Sequence, residues 1–175
     1  MLNETVVDVC SKLDALGIGY MMSGSLAMSV YVPSRNSWDV DFVINLKEED
    51  VPTFIRQFSE KYFIQPKTVL EEVKRTGMFN IIDRNNAFKV DFMILKNTEY
   101  RQHEFKRKRR VNYRQTEFWV FAIEDLIISK LIWIQHLESD MQKRDISSLL
   151  QYKNVDFNYL KEWITKLQLN TYNLL

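Results

Sequence analysis

The stretch Trp38-Asp39-Val40-Asp41-Phe42-Val43-Ile44 decides the fold. Its β-branched and aromatic residues predict a strand, read over residues 38–46. Side chains alternate faces along a strand, so Asp39 and Asp41 project the same way. Asp is depleted in strands, and two like charges on one face repel. A divalent cation offsets that cost directly. Mg²⁺ prefers carboxylate oxygens and takes its remaining ligands from water and phosphates. A solvated face on which the pair does nothing is the plainer alternative.

Downstream, Phe88-Lys89-Val90-Asp91-Phe92-Met93-Ile94-Leu95 repeats the anomaly with a single carboxylate in an apolar strand. If the two strands are neighbours, Asp39, Asp41 and Asp91 could hold two metals that clamp the attacking and leaving oxygens of a phosphoryl displacement. Upstream, residues 18–22 read as a short buried strand, broken by Ser23-Gly24-Ser25 before a short helix over 26–31. A glycine lets the backbone approach a phosphate, the helix start offers free N–H groups, and Ser25 adds a hydroxyl donor. The same triplet is equally an N-cap.

Around this centre the patterning is helical at both ends. Val6, Val7, Cys10, Leu13 and Leu16 form a stripe over residues 3–16, closed by Gly17. Residues 48–62 carry Val51, Phe54, Ile55, Phe58 and Tyr62 on one face of a surface helix. Residues 69–75 add a helical turn or two. Residues 79–83 and 87–95 flank Arg84-Asn85-Asn86, a hairpin turn in which Asn tolerates positive φ. Residues 98–108 read as helix, and 110–114 with 117–121 as one or two final strands. Helices follow over 124–137, 141–150 and 157–167. The order implies an α+β fold. A mixed sheet flanked by helices occupies residues 1–122, and a C-terminal helical bundle occupies 123–175, packed on that core.

Composition narrows the function classes. The 175 residues are 46% hydrophobic and 27% charged, ordinary for a soluble domain. A net charge of +1 sets up no global field toward nucleic acid, so any such preference must come from local clusters. Four Gly and three Pro argue against disorder. Cys10 is the single cysteine, which excludes an intramolecular disulfide and argues against a cysteine zinc site. No basic segment precedes an apolar run at the N-terminus, and no stretch approaches about 18 apolar residues. A cytoplasmic protein without membrane contact is expected.

Gly24-Ser25-Leu26-Ala27, followed by Arg35-Asn36-Ser37-Trp38-Asp39-Val40-Asp41-Phe42, resembles the signature of the polymerase-beta-type nucleotidyltransferases. In that superfamily a Gly-Gly or Gly-Ser turn precedes an Arg-x-Ser/Thr-x-Asp-hydrophobic-Asp strand, and a third carboxylate lies on a later strand. The resemblance implies that Gly24 and Ser25, with Arg35 and Ser37, bind an NTP. It makes Asp39, Asp41 and Asp91 the catalytic carboxylates, holding Mg²⁺ or Mn²⁺, with Asp91 helping to activate the attacking hydroxyl. Gly-Ser stands where the small-molecule and antitoxin branches commonly have Gly-Gly.

The tail carries a second resemblance. Glu124-Asp125-Leu126-Ile127-Ile128-Ser129-Lys130-Leu131 and Lys143-Arg144-Asp145-Ile146 look like the helices of abortive-infection and toxin–antitoxin type bacterial nucleotidyltransferases. That likeness implies that Lys130 points at the nucleotide, while Arg144 and Asp145 buttress it or meet the acceptor. An acidic, dipole-matched helix and a surface pair are the plainer alternatives. Arg101, Lys106, Arg107, Lys108, Arg109, Arg110 and Arg114 crowd one segment with Phe105 and Tyr113. Such a run could grip an RNA backbone, with Arg107, Arg109 and Arg110 as candidate acceptor contacts, or it could be a solvated face. His103 and His136 read as surface or interface histidines.

The expected function is metal-dependent transfer of a nucleoside monophosphate from an NTP to a hydroxyl of RNA, protein or a small molecule. The alternative is a catalytically silent, antitoxin-like regulatory protein of the same fold.

Overall fold

The computed structural model describes residues 4–33, 39–113 and 116–175, with the backbone alone at Tyr113. The first apolar stripe folds as α1 (Glu4–Ala15), and Gly17, at φ +66°, ends it in the left-handed conformation. The fully buried β1 (Tyr20–Met22) leads into α2 (Gly24–Met28), which begins two residues earlier than the pattern suggests. The carboxylate strand is β2 (Asp39–Ile44). A 3-10 turn, Glu48–Asp50, precedes α3 (Val51–Phe58). Tyr62 continues the helical stripe in sequence but belongs to β3 (Tyr62–Phe63). There it pairs with Asp83, and its buried hydroxyl donates to Asp8 Oδ2 at 2.6 Å.

After α4 (Pro66–Lys74) comes the hairpin of β4 (Met78–Asp83) and β5 (Lys89–Ile94). The turn is built by two Asx contacts: Asn85 N donates to Asp83 Oδ1 and Phe88 N to Asn86 Oδ1. The positive φ falls on Ala87, not on an asparagine. α5 (Glu99–Lys106), β6 (Arg109–Tyr113) and β7 (Thr116–Val120) complete the sheet. The tail is α6 (Ile123–His136), α7 (Asp140–Leu150) and α8 (Phe157–Lys166). Ser139 and Asp156 cap the last two by accepting from Gln142 N and Tyr159 N. Among the described residues, no helix is long and apolar enough to cross a membrane.

The seven strands run in the order β3-β4-β5-β2-β1-β7-β6, with β2 and β5 parallel at the centre. One face of this pair carries Val40, Phe42, Ile44, Val90, Phe92 and Ile94, all buried. Phe92 meets the rings of Phe42, Phe54, Phe58 and Phe79 at centroid distances of 5.3–6.1 Å. Each such pair is worth about 0.5–1.5 kcal/mol beyond its buried area. By strand parity, the other face carries Asp39, Asp41, Lys89 and Asp91. α6 contributes Leu126, Ile127, Leu131 and Ile134 to the same hydrophobic cluster as the sheet, so the helical tail and the sheet share one core.

Candidate active site

The parallel register sets Asp41 beside Asp91 and Asp39 beside Lys89, so all three carboxylates leave one sheet face, as their parity predicts. Burial grades across them: Asp39 is exposed, Asp41 half-buried and Asp91 only 5% exposed. Burial pushes the Asp41 carboxyl up to about 6, helped by the charges of Asp39 and Asp91 and opposed by Lys130 and Lys89. Asp91 is only half satisfied. Its Oδ2 meets Lys89 Nζ at 2.8 Å, while its buried Oδ1 has no hydrogen-bond partner among the described residues.

Among the described residues, no group of three His, Cys, Asp or Glu side chains is placed to hold a metal ion. Like charges repel across a strand pair, and Asp91 takes the nearby Lys89 ammonium instead. The chemistry of the donors nevertheless suits a hard cation: two carboxylates in register, a third two residues along the same face, and an orphaned buried oxygen on Asp91.

The Ser23–Ser25 turn lies against this cluster. Ser23 N donates to the Asp41 carbonyl at 2.8 Å. Gly24 sits at φ +64°, and a Cβ there would stand 2.0 Å from Asp41 Oδ2. Glycine is thus required twice, for the backbone conformation and for the close approach. Ser25 is buried at the start of α2.

From the other side, α6 brings Lys130 into the same cleft. Its Nζ donates to Gln142 Oε1 and Asp145 Oδ2, both at 2.8 Å. Asp145 is buried and buttresses Lys130, whereas Arg144 is exposed and, among the described residues, bonds only its own helix, Nε to the Asp140 carbonyl. Glu124 and Asp125 are not a solvated helix start. Both are buried, and both accept from Arg107, Nη2 to Glu124 at 3.0 Å and Nε to Asp125 at 2.8 Å.

Arg107 corrects one expectation. Its guanidinium also lies 3.9 Å over the Tyr159 ring, so it locks α5, α6 and α8 together instead of waiting for an acceptor. Arg109 and Arg110 are exposed on the edge strand β6, with Arg110 paired to Glu117 at 2.8 Å, and neither lines the cleft. Arg35, Ser37 and Arg114 lie outside the described residues. His103 packs against Tyr159 and Trp163, while His136 is exposed at the cleft.

The cleft has a volume of about 500 Å³ and joins the turn, the carboxylates Asp39 and Asp41, and Lys130 to a second, more apolar half. Sequence reasoning missed Lys89 and Gln142 here, and it grouped Arg101 with the basic run and not with the cleft. The signals were present for the first two: Lys89 shares parity with Asp91, and Gln142 stands one helical turn before Asp145.

A mixed sheet with paired carboxylates on its central strand, a Gly-Ser turn against them and a helical tail closing the cleft is the nucleotidyltransferase fold. The chain belongs to the family described as "Nucleotidyltransferase of unknown function (DUF6036)", whose model matches residues 2–175. No curated protein matches it in sequence. Among solved structures it is similar to an antigenic nucleotidyltransferase-like protein from Paracoccidioides brasiliensis, at TM-score 0.58 and 20% identity, over 94% of this chain and 85% of that one. It is also similar to the antibiotic-resistance factor ANT(2'')-Ia, at TM-score 0.65 and 8% identity, over 95% and 93% of the two chains. A third is the lincosamide antibiotic adenylyltransferase LnuA, solved with lincomycin bound, at TM-score 0.57 and 9% identity, over 87% and 99%. At these identities the likeness is one of fold.

Proposed function

We propose that this protein transfers a nucleoside monophosphate from an NTP to an acceptor hydroxyl. The observation that carries the reading is Gly24 pressed against Asp41, a backbone with no side chain facing a half-buried, doubly crowded carboxylate. Asp39, Asp41 and Asp91 would hold Mg²⁺ or Mn²⁺. Bound there, the cation would neutralise charge on the transferring phosphoryl group. Gly24 and Ser25 would bind the triphosphate, and Arg35 and Ser37 are further candidate nucleotide contacts. Lys130, fixed by Gln142 and Asp145, would add positive charge along the phosphate chain. The acceptor oxygen attacks the α-phosphorus, the bond to the β-phosphate breaks, and pyrophosphate leaves. Asp91, beside Asp41 in the strand register, would help activate the attacking hydroxyl by drawing off its proton.

One observation favours the second reading, a silent regulatory or antitoxin-like protein: Lys89 already neutralises Asp91. Incubation with each labelled NTP, Mg²⁺ or Mn²⁺, and fractionated RNA, protein and small metabolites separates the two. Label entering one fraction, and lost in Asp39→Asn, is the expected result. No transfer from any NTP with any fraction would leave the regulatory reading.

A further inference from the structure

Beyond the carboxylates the sheet floor of the cleft turns apolar, while Lys96, Arg101 and Glu104 add charge to its wall. On the sheet face that carries Asp41 and Asp91, the next row is Val43 and Met93 in register, and Met78 pairs with Met93 from β4. Two residues of strand, about 7 Å, separate the rows. From α6, Ile132 and Trp133 line the same cleft. Met78 and Trp133 are 48% and 54% exposed, large apolar side chains left open inside a concave site.

Arg101 also lines this cleft. Its Nη1 alone donates to both oxygens of the fully buried Glu104, at 2.8 and 3.1 Å, and to Ser129 Oγ at 3.0 Å. Its other N–H donors make no hydrogen bond among the described residues. The guanidinium is held at one corner, with donors to spare for a ligand.

We propose that the half of the cleft beyond the carboxylates is the acceptor subsite, and that it takes a small molecule with a flat apolar body and a carboxylate or similar anionic group. The inference rests on the transferase reading above. An acceptor seated there lies about one row from Asp41 and Asp91, within reach for its hydroxyl to meet the α-phosphorus. The whole cleft, nucleotide half included, has a volume of about 500 Å³, so what remains for the acceptor is small-molecule sized. Arg101 and Lys96 on its wall repel a polycation. A neutral nucleobase, the competing occupant, could lie on Trp133 but gives Arg101 no charge to meet.

The test uses 1-anilinonaphthalene-8-sulfonate, a flat apolar anion that fluoresces on leaving water, titrated into the full chain with and without saturating Mg²⁺ and each NTP in turn. The proposal expects one bound probe per chain, retained with Mg–NTP, and an affinity about tenfold weaker in Trp133→Ala. Arg101→Gln should weaken the sulfonate probe about tenfold while leaving its uncharged parent, N-phenyl-1-naphthylamine, unchanged. Because that change strands Glu104, the double variant Arg101→Gln/Glu104→Gln is measured beside it, with melting as the check on folding. Binding indifferent to Trp133→Ala, no binding, or displacement by Mg–NTP would overturn the proposal, the last marking a nucleobase site. Probe binding at Trp133 with no stabilisation by any Mg–NTP would instead overturn the transferase reading, and the acceptor role with it.

Discussion

Gly24 lies so close to the Asp41 carboxylate that no side chain fits at position 24. Gly24→Ala would place a methyl on the Asp41 carboxylate and hold a non-glycine residue at φ +64°. A loss of about 1–3 kcal/mol in chemical denaturation is expected, together with loss of Mg–NTP binding. A variant that melts like wild type and still binds would contradict the tight packing. Lys130→Met should cost about 3 kcal/mol, because it leaves Asp145 buried without its cation, and adding Asp145→Asn should restore part of that. Full stability in Lys130→Met would show that Asp145 finds another partner. At this scale the sequence was legible where period settles direction. Alternation put Asp39, Asp41 and Asp91 on one face, and the same alternation marks Lys89. What it could not convey is that Asp91 prefers that ammonium to its acidic neighbours, which depends on burial and distance.

Among the elements, the basic segment shows how little a charge run says about direction. Arg101 lines the cleft, Arg107 enters the α5–α6–α8 junction, and Arg109 and Arg110 stand out from β6. Arg107→Leu strands the buried Glu124 and Asp125 and should lower stability by about 2–4 kcal/mol in a denaturant melt, with Arg107→Lys in between. A neutral result would mean that the tail docks through apolar contacts alone. A second link ties α1 to the β4–β5 hairpin, where Thr5 Oγ1 donates to the buried Asp83 at 2.7 Å, Asn85 N donates at 2.9 Å and Lys61 stands 3.7 Å away. Burial alone would raise the Asp83 carboxyl, but these partners outweigh it and hold it below the usual carboxylate range. Its stabilisation is therefore present above the unfolded value, about 3.9, and is lost as pH falls through the folded one. Asp83→Asn should melt lower than wild type at pH 7, with the gap closing below about pH 4; a gap independent of pH would assign the effect to packing. The long periodic helices were legible, whereas β3 was not. Two residues carry no period, and Tyr62 extends the stripe of α3 until its pairing with Asp83 claims it.

For the whole molecule, the fold could be read because strand, turn and helix signals agree along the chain, while of the cleft only residues 24, 25, 39, 41 and 130 could be grouped and its apolar walls could not. Its walls come from residues 23–25, 39–43, 76–78, 93–96, 101–104 and 129–142, brought together only by the sheet order and the seating of α6. The central claim is that this cleft binds Mg–NTP through Asp41, and thermal melting of wild type and Asp41→Asn, with and without Mg²⁺ and NTP, tests it most directly. The folded-state value of Asp41, about 6, lies above the unfolded one, so its charge costs stability as pH rises through that window. At pH 8 without ligand, Asp41→Asn should melt no lower than wild type. Wild type should gain about 2.7 kcal/mol at a hundredfold excess over Kd, a shift of several degrees, and the variant should gain almost nothing. A wild type unmoved by every Mg–NTP, or a variant that shifts equally, would contradict the account.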